Sequence, residues 1–357
     1  LTSTEFNELN SVVNSNSTDV ESRVQSVDAV SSFIDGKLVP IEDTDTSKIE
    51  SYSTEDLPTT LTDGTIVYNT TSQILVYIFN GEWYRLQDNT NLNSLTATDH
   101  FIIMGQSNAL GKRQFTDYST SIQNLDRTGI LYYGSTATGS GYWPGVWEQY
   151  VPGSQKGQQA SPNTDGTIGI EVGLGDKLKT FLDDSGNTKF ENQIAISKHA
   201  RGGSGLYDNW SPTESNNHMY SSMEDMIPKS LFELGQYDSG RVSNIKAFIW
   251  YQGESDALAS PPQTTSQYEN NLIDFIADVR TRYNTPDLPI IVVKIWDTND
   301  RSDYADIRVA QDNVALSDPN VYTIETNTYT FADANHPAAA GYYSIGEAVA
   351  NQLNSIL

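Results

Sequence analysis

The chain contains no cysteine in 357 residues, which excludes a disulfide framework, a thiolate nucleophile and thiolate-bound zinc. It is also poor in cations. Only 21 Lys and Arg stand against 46 Asp and Glu, for a formal net charge of -25. Such a chain repels nucleic acid and anionic membrane surfaces, so neither is expected as a partner, and a glycan suits the balance better. No run approaches the roughly 18 consecutive apolar residues of a membrane span. The first residues also lack the charged start and apolar run of a secretion signal, so a soluble chain is expected. Histidine is scarce too: His100, His199, His218 and His336 are the whole set from which an imidazole base can be drawn.

What is present suffices for a sizeable core. Hydrophobic residues make up 37% and tyrosine alone contributes 20 side chains, a composition that fits a globular, partly β-rich protein. The length predicts one large domain with a smaller appendage.

Three regions follow along the chain. In residues 1–36, Phe6, Leu9, Val13, Val20, Val27, Val30 and Ile34 fall on a and d of one heptad frame, with Asn16 and Arg23 as polar d positions. This predicts a coiled coil and, through it, a homotrimer. An amphipathic helix lying on its own domain is the plainer alternative. Residues 37–97 form the second region. Thr65-Ile66-Val67-Tyr68, Ile74 to Phe79 and Glu82 to Leu86 read as strands, and Asn80-Gly81 reads as a type I′ hairpin turn. A small three-stranded meander is expected there, with a polar linker from Asp88 to Asp99. A short coiled coil followed by a compact β module resembles the connectors of phage tail fibres and tailspikes, which implies a virion-associated or extracellular setting.

Residues 98–357 alternate strand and helix patterns. Strands are predicted at 100–104, 193–197, 245–251, 288–294 and 321–325. Helices are predicted at 170–183, 218–235, 266–283, 302–316 and 338–357. This pattern predicts a central parallel five-stranded sheet in an α/β/α sandwich, flavodoxin-like, with ligands at the carboxyl ends of the strands.

The chemistry-bearing residues sit at those ends. Phe101-Ile102-Ile103-Met104 runs into Gly105-Gln106-Ser107-Asn108, which puts a serine on a tight turn after a strand. A serine needs an imidazole base, and the imidazole needs a carboxylate. Of the four histidines, only His336 has an aspartate beside it in a helix-opening loop, in Asp333-Ala334-Asn335-His336-Pro337. Ser107 alone would more often be a helix cap, and Asp333 and His336 ordinary turn residues.

Taken together these blocks resemble the SGNH hydrolases, in particular the carbohydrate O-acetylesterases similar to sialate O-acetylesterase and acetylxylan esterase. Trp250-Tyr251-Gln252-Gly253-Glu254-Ser255-Asp256 matches a third block of that branch, and Arg201-Gly202-Gly203 a looser fourth. The resemblance covers residues 98–357. It implies Ser107 as nucleophile, His336 as base and Asp333 as its orienter. An oxyanion hole is implied from the Ser107 N–H, a glycine N–H assigned to Gly203 rather than Gly202, and the Gln252 amide. Gln106, Asn108, Arg201, Gly202, Glu254 and Asp256 are implied as substrate-binding or supporting residues, with Glu171, Arg308 and Gln311 in weaker correspondence.

No cofactor and no catalytic metal are expected, since no two histidines have ligand spacing. Glu254 and Asp256 as a glycosidase pair is the bland rival for that block. Tyr142, Trp143, Trp147, Tyr207 and Trp210 are candidate sugar-stacking aromatics. The function implied is removal of O-acetyl groups from a carbohydrate such as an acetylated surface polysaccharide. A non-catalytic glycan-binding adhesin and a secreted acetylxylan-type esterase are the alternatives.

Overall fold

The computed structural model describes residues 51–52, 66–69, 74–79, 82–85 and 96–357, the last without 139–140, 144, 153–167, 191–192, 215–216, 238–240, 284 and 298–301. The expected coiled coil at 1–36 and the Asn80-Gly81 turn lie outside the described residues. Two compact units divide at Ala97 and Thr98, with Leu231–Ser243 grouped with the first.

In the smaller unit, β2 (Ile66–Asn69), β3 (Ile74–Phe79) and β4 (Glu82–Arg85) form the antiparallel meander. Val67 and Val76 face each other in register and are both buried, as period-2 alternation requires of a sheet with one covered face. A fourth strand, β1 (Ser51–Tyr52), pairs in parallel with β2. Two residues are too short to carry a periodic signal, so it was not predicted.

The larger unit is built on β5 (Thr96–Gly105), β6 (Ile130–Thr138), β7 (Gly141–Trp143), β8 (Trp147–Gln149), β9 (Ile194–Ala200), β10 (Arg241–Tyr251), β11 (Ile290–Val293) and β12 (Val321–Ile324). Its mostly parallel sheet has the order β12-β11-β10-β5-β9-β6-β7, and β8 also pairs with β6. The five predicted strands are all present, but the sheet path runs through seven, which corrects the five-stranded expectation. The added β6 is parallel to β9, while β7 and β8 fold back on it antiparallel. Its opening Ile130-Leu131-Tyr132-Tyr133 is fully buried, but Gly134 and the hydroxyl residues that follow dilute its β signal.

The helices are α1 (Ser107–Leu110), α2 (Thr120–Gln123), α3 (Glu171–Asp183), α4 (Leu206–Trp210), α5 (His218–Tyr237), α6 (Glu254–Ala257), α7 (Thr265–Arg282), α8 (Ser302–Ser317) and α9 (Ala339–Ile356). Side chains alternate through the sheet. Phe101, Ile103, Ile194, Ile196, Ile249, Tyr251, Ile291 and Val293 point to the face covered by Leu174 and Leu178 of α3 and Ile345, Val349 and Leu353 of α9. On the opposite face, Phe248 and Trp250 pack against Phe275 of α7, and Trp250 meets Trp210 of α4 edge-on at 5.1 Å. Burial on both faces is why these strands read as unbroken apolar runs. α3 and α9 cross tightly at Gly346, where a Cβ would lie 2.2 Å from the Ile170 carbonyl oxygen. Among the described residues no helix is long and apolar enough to cross a membrane.

Candidate active site

The turn that carries Ser107 is set by a steric constraint. β5 ends at Gly105, whose φ is +141°, and a Cβ there would lie 2.2 Å from the Tyr251 carbonyl oxygen. Only glycine lets the chain reverse this close to β10. The turn is then pinned on both sides: Gln106 N–H donates to Tyr251 O (3.1 Å), and Arg201 N–H donates to Gly105 O (3.2 Å). Ser107 follows as the first residue of α1, with only 9% of its surface exposed.

The loop between β12 and α9 brings an imidazole to it. His336 Nε2 lies 3.2 Å from Ser107 Oγ, and His336 Nδ1 lies 3.1 and 3.2 Å from the two Asp333 carboxylate oxygens. Asp333 also accepts the backbone N–H groups of Asn335 and His336, each at 2.9 Å. These bonds fold the loop around the carboxylate. Arg113 clamps its far side by donating to Pro337 O (2.9 Å) and approaching Asp333 Oδ2 at 3.8 Å.

Partial burial acts to raise the Asp333 pKa, but the two backbone N–H bonds and the neighbouring imidazole outweigh it and hold the carboxyl below its usual value. Burial lowers the His336 pKa. Asp333 pulls it back up only in part, while Lys112 and Arg113 depress it further. The imidazole is therefore neutral near pH 7, the form that can accept a proton.

Beneath Ser107 lies a buried polar hub. Asn108 donates to Glu254 Oε1 (2.5 Å) and to Asn335 O (2.9 Å), and accepts from Tyr342 OH (2.9 Å). Gln106 Oε1 accepts from Gln252 Nε2 and from the Gly253 and Ser255 N–H groups. Gln252 is wholly buried. Its amide donates to Gln106, Ser204 O and Asp256, while its Oε1 accepts from Tyr268 OH and its backbone oxygen from Gln311. Both amide protons are thus committed within the loop. In this arrangement the amide ties the β10–α6 turn to the turn that carries Ser107.

Glu254 and Asp256 are each 3% exposed and hold Asn108, Gln252 and the Leu206 and Tyr207 N–H groups, so they do not face each other across a cleft as a glycosidase pair would. Burial pushes the Glu254 carboxyl up to about 7.

The glycine segment lies beside the serine. An ideal Cβ on Gly202 would stand 3.8 Å from Ser107 Cβ and 3.7 Å from Lys112 Nζ, while Gly203, at φ +75°, opens onto free space. Arg201 contacts His218 in this loop. His100 and His199 are buried against Ser197 and Ser222, and burial brings both down to about 3, so they are structural. Arg308 grips Glu325 through both oxygens, and Glu171 pairs with Lys198 at 2.7 Å.

Of the candidate aromatics, Trp210 and Trp147 are core residues with their indole N–H groups bonded inside. Tyr207 is exposed at 41%, and the Tyr142 and Trp143 side chains lie outside the described set. The sequence reading missed Arg113, Tyr304 (OH to Asn335 Oδ1, 3.1 Å) and Tyr342. They come from segments with no motif of their own. Among the described residues no three His, Asp or Glu side chains are grouped to hold a metal ion.

The family model of the carbohydrate esterases described as sialic acid-specific acetylesterases matches residues 97–355. The chain belongs to this family. It therefore carries a carbohydrate acetylesterase domain, a carboxylic ester hydrolase. A structure of a protein from Arabidopsis thaliana is similar at 21% identity and TM-score 0.54, covering 72% of this chain and 98% of that one, a likeness of fold. NanS is similar at 14% identity and TM-score 0.49 over 72% and 97% of the two chains. A carbohydrate acetylesterase from Xanthomonas citri follows at 15% identity and TM-score 0.43 over 78% and 59%. No curated protein sequence matches the chain.

Two outcomes are expected of this esterase. The acid limb of kcat/KM against pH falls below the ordinary imidazole value of 6.5, because the folded His336 pKa is lowered. Asp333→Asn removes the group that raises it, so the limb moves lower still while kcat falls by roughly 10⁴; an unshifted limb with unchanged kcat contradicts the assignment. For Glu254, the folded carboxyl holds its proton up to about pH 7 whereas the unfolded one ionises near 4.5. Its contribution is complete below about 4.5 and is lost as pH rises towards 7. Urea titrations should show Glu254→Gln gaining on the natural protein over that window and levelling above it; parallel curves would refute the reading.

Proposed function

We propose that Ser107, His336 and Asp333 form the catalytic triad of this esterase and that its substrate is an O-acetylated surface polysaccharide. The observation that carries the reading is His336 standing 3.2 Å from Ser107 Oγ on one side and 3.1 Å from Asp333 on the other. Ser107 Oγ attacks the acetyl carbonyl carbon and His336 Nε2 takes its proton. The tetrahedral intermediate collapses, the ester C–O bond breaks, and His336 returns the proton to the sugar oxygen. Water then repeats the sequence, with His336 as base, releasing acetate and restoring the serine.

Charge on the former carbonyl oxygen is met by the Ser107 backbone N–H and by a glycine N–H of the Gly202-Gly203 segment, each such donor being worth on the order of a hundredfold or more in rate. The sugar approaches from the carboxyl edge of the sheet, past Arg201 and Tyr207.

The setting we propose is a phage tail fibre or tailspike in which residues 1–36 gather three copies and present the esterase to a bacterial surface. The heptad frame from Phe6 to Ile34 supports this.

Acetate release from p-nitrophenyl acetate and from acetylated polysaccharides is expected for the natural chain and absent from Ser107→Ala; equal release by both proteins would sink the triad. Light scattering on the full chain and on residues 98–357 is expected to give three times the chain mass for the former alone. A monomeric full chain would eliminate the stalk.

A further inference from the structure

Trp296 and Phe331 stack face to face, with ring centroids 4.3 Å apart and planes 14° apart. Neither ring belongs to the hydrophobic core, and both remain half-buried. Trp296 follows β11 and Phe331 follows β12, so the pair stands at the carboxyl edge of the sheet, where ligands of open α/β folds bind. Phe331 bridges to Pro337 across the loop that carries Asp333 and His336. β11 lies two places from β5, which leads into Ser107, and at a strand spacing of about 4.8 Å this is an offset of roughly 10 Å. That is too far to touch an acetyl group on Ser107 and near enough to meet the next part of its carrier.

We propose that Trp296 and Phe331 form a sugar-binding subsite that holds a neighbouring pyranose of a polymeric glycan beside the residue bearing the acetyl group. Each ring covers one face of the other, and both residues keep part of their surface exposed. A pyranose presents an apolar C–H face, and an aromatic ring presents a negative one, so the two stack without any charge on the sugar. Recognition of this kind suits a chain with a net charge of -25. Asn327 and Thr328, exposed on the Phe331 loop, supply polar groups for the hydroxyls at the rim. Asn327 Oδ1 also accepts the Asp297 N–H (3.1 Å) and so ties that loop to the Trp296 segment. Tyr207, beyond β9 on the other side of Ser107, gives the site a second aromatic flank. Aromatics on both sides of the serine describe a groove for a chain of sugars rather than a cup for one.

The inference rests on the esterase reading, which wild-type hydrolysis of p-nitrophenyl acetate tests separately. That small ester cannot reach the subsite. Trp296→Ala is therefore expected to leave its hydrolysis unchanged, to lower kcat/KM on acetylated xylohexaose about tenfold through KM, and to be largely rescued by Trp296→Phe. Calorimetric titration of xylohexaose into Ser107→Ala, with and without Trp296→Ala, should show the same loss in binding. Equal losses on both substrates would make the pair a brace for the Asp333 loop and overturn the proposal. So would hexaose kinetics and binding that Trp296→Ala leaves unchanged.

Discussion

The site depends on one buried amide. Asn108 has no exposed surface, and burying such a group without partners costs on the order of 1–3 kcal/mol, so its hydrogen bonds dictate what must lie around it. It finds them on three different elements: Glu254 after β10, Asn335 in the loop after β12, and Tyr342 on α9. Because Asn108 is bonded directly to Ser107 in the chain and Asn335 to His336, satisfying Asn108 fixes the approach of imidazole to hydroxyl. The separation of imidazole and hydroxyl is thus set by a requirement of burial as well as by their own hydrogen bond.

A second buried group steadies the same helix from below. Lys198 is 2% exposed, pairs with Glu171 at 2.7 Å and donates to Leu110 O at 2.8 Å. An ion pair this deep carries a desolvation cost that its attraction roughly offsets, so its value lies in geometry more than in stability. It holds the carboxyl end of α1 through Leu110 O while Asn108 anchors the start. Above this frame, Lys112 and Arg113 place positive charge next to His336 in a protein of large negative charge, and they lower the imidazole pKa.

Gln252 illustrates how a motif constrains residue type without revealing its partners. A buried glutamine amide two residues from a buried glutamate and four from a buried aspartate has many possible partners, and which it takes depends on where Gln106, Ser204 and Tyr268 arrive from distant parts of the chain. The same holds for Trp210, whose place in a loop near the site suggested a sugar platform. Its contacts with Trp250 and Phe275 put it inside the far face of the sheet instead.

The sequence alone determined the alternation of strands and helices, because strands buried on both faces are written as continuous apolar runs, and it marked Ser107, Asp333 and His336, because a strained turn and a helix-opening loop demand recognisable residues. Tertiary structure decided the rest. The β6 edge and its hairpin depend on pairing with β9, which no local pattern in Gly134-Ser135-Thr136 announces. Arg113, Tyr304 and Tyr342 enter the site only because separate segments converge on one loop. The pairing of Trp296 with Phe331 likewise exists only after β11 and β12 lie side by side, since 34 intervening residues keep the two rings apart in the chain.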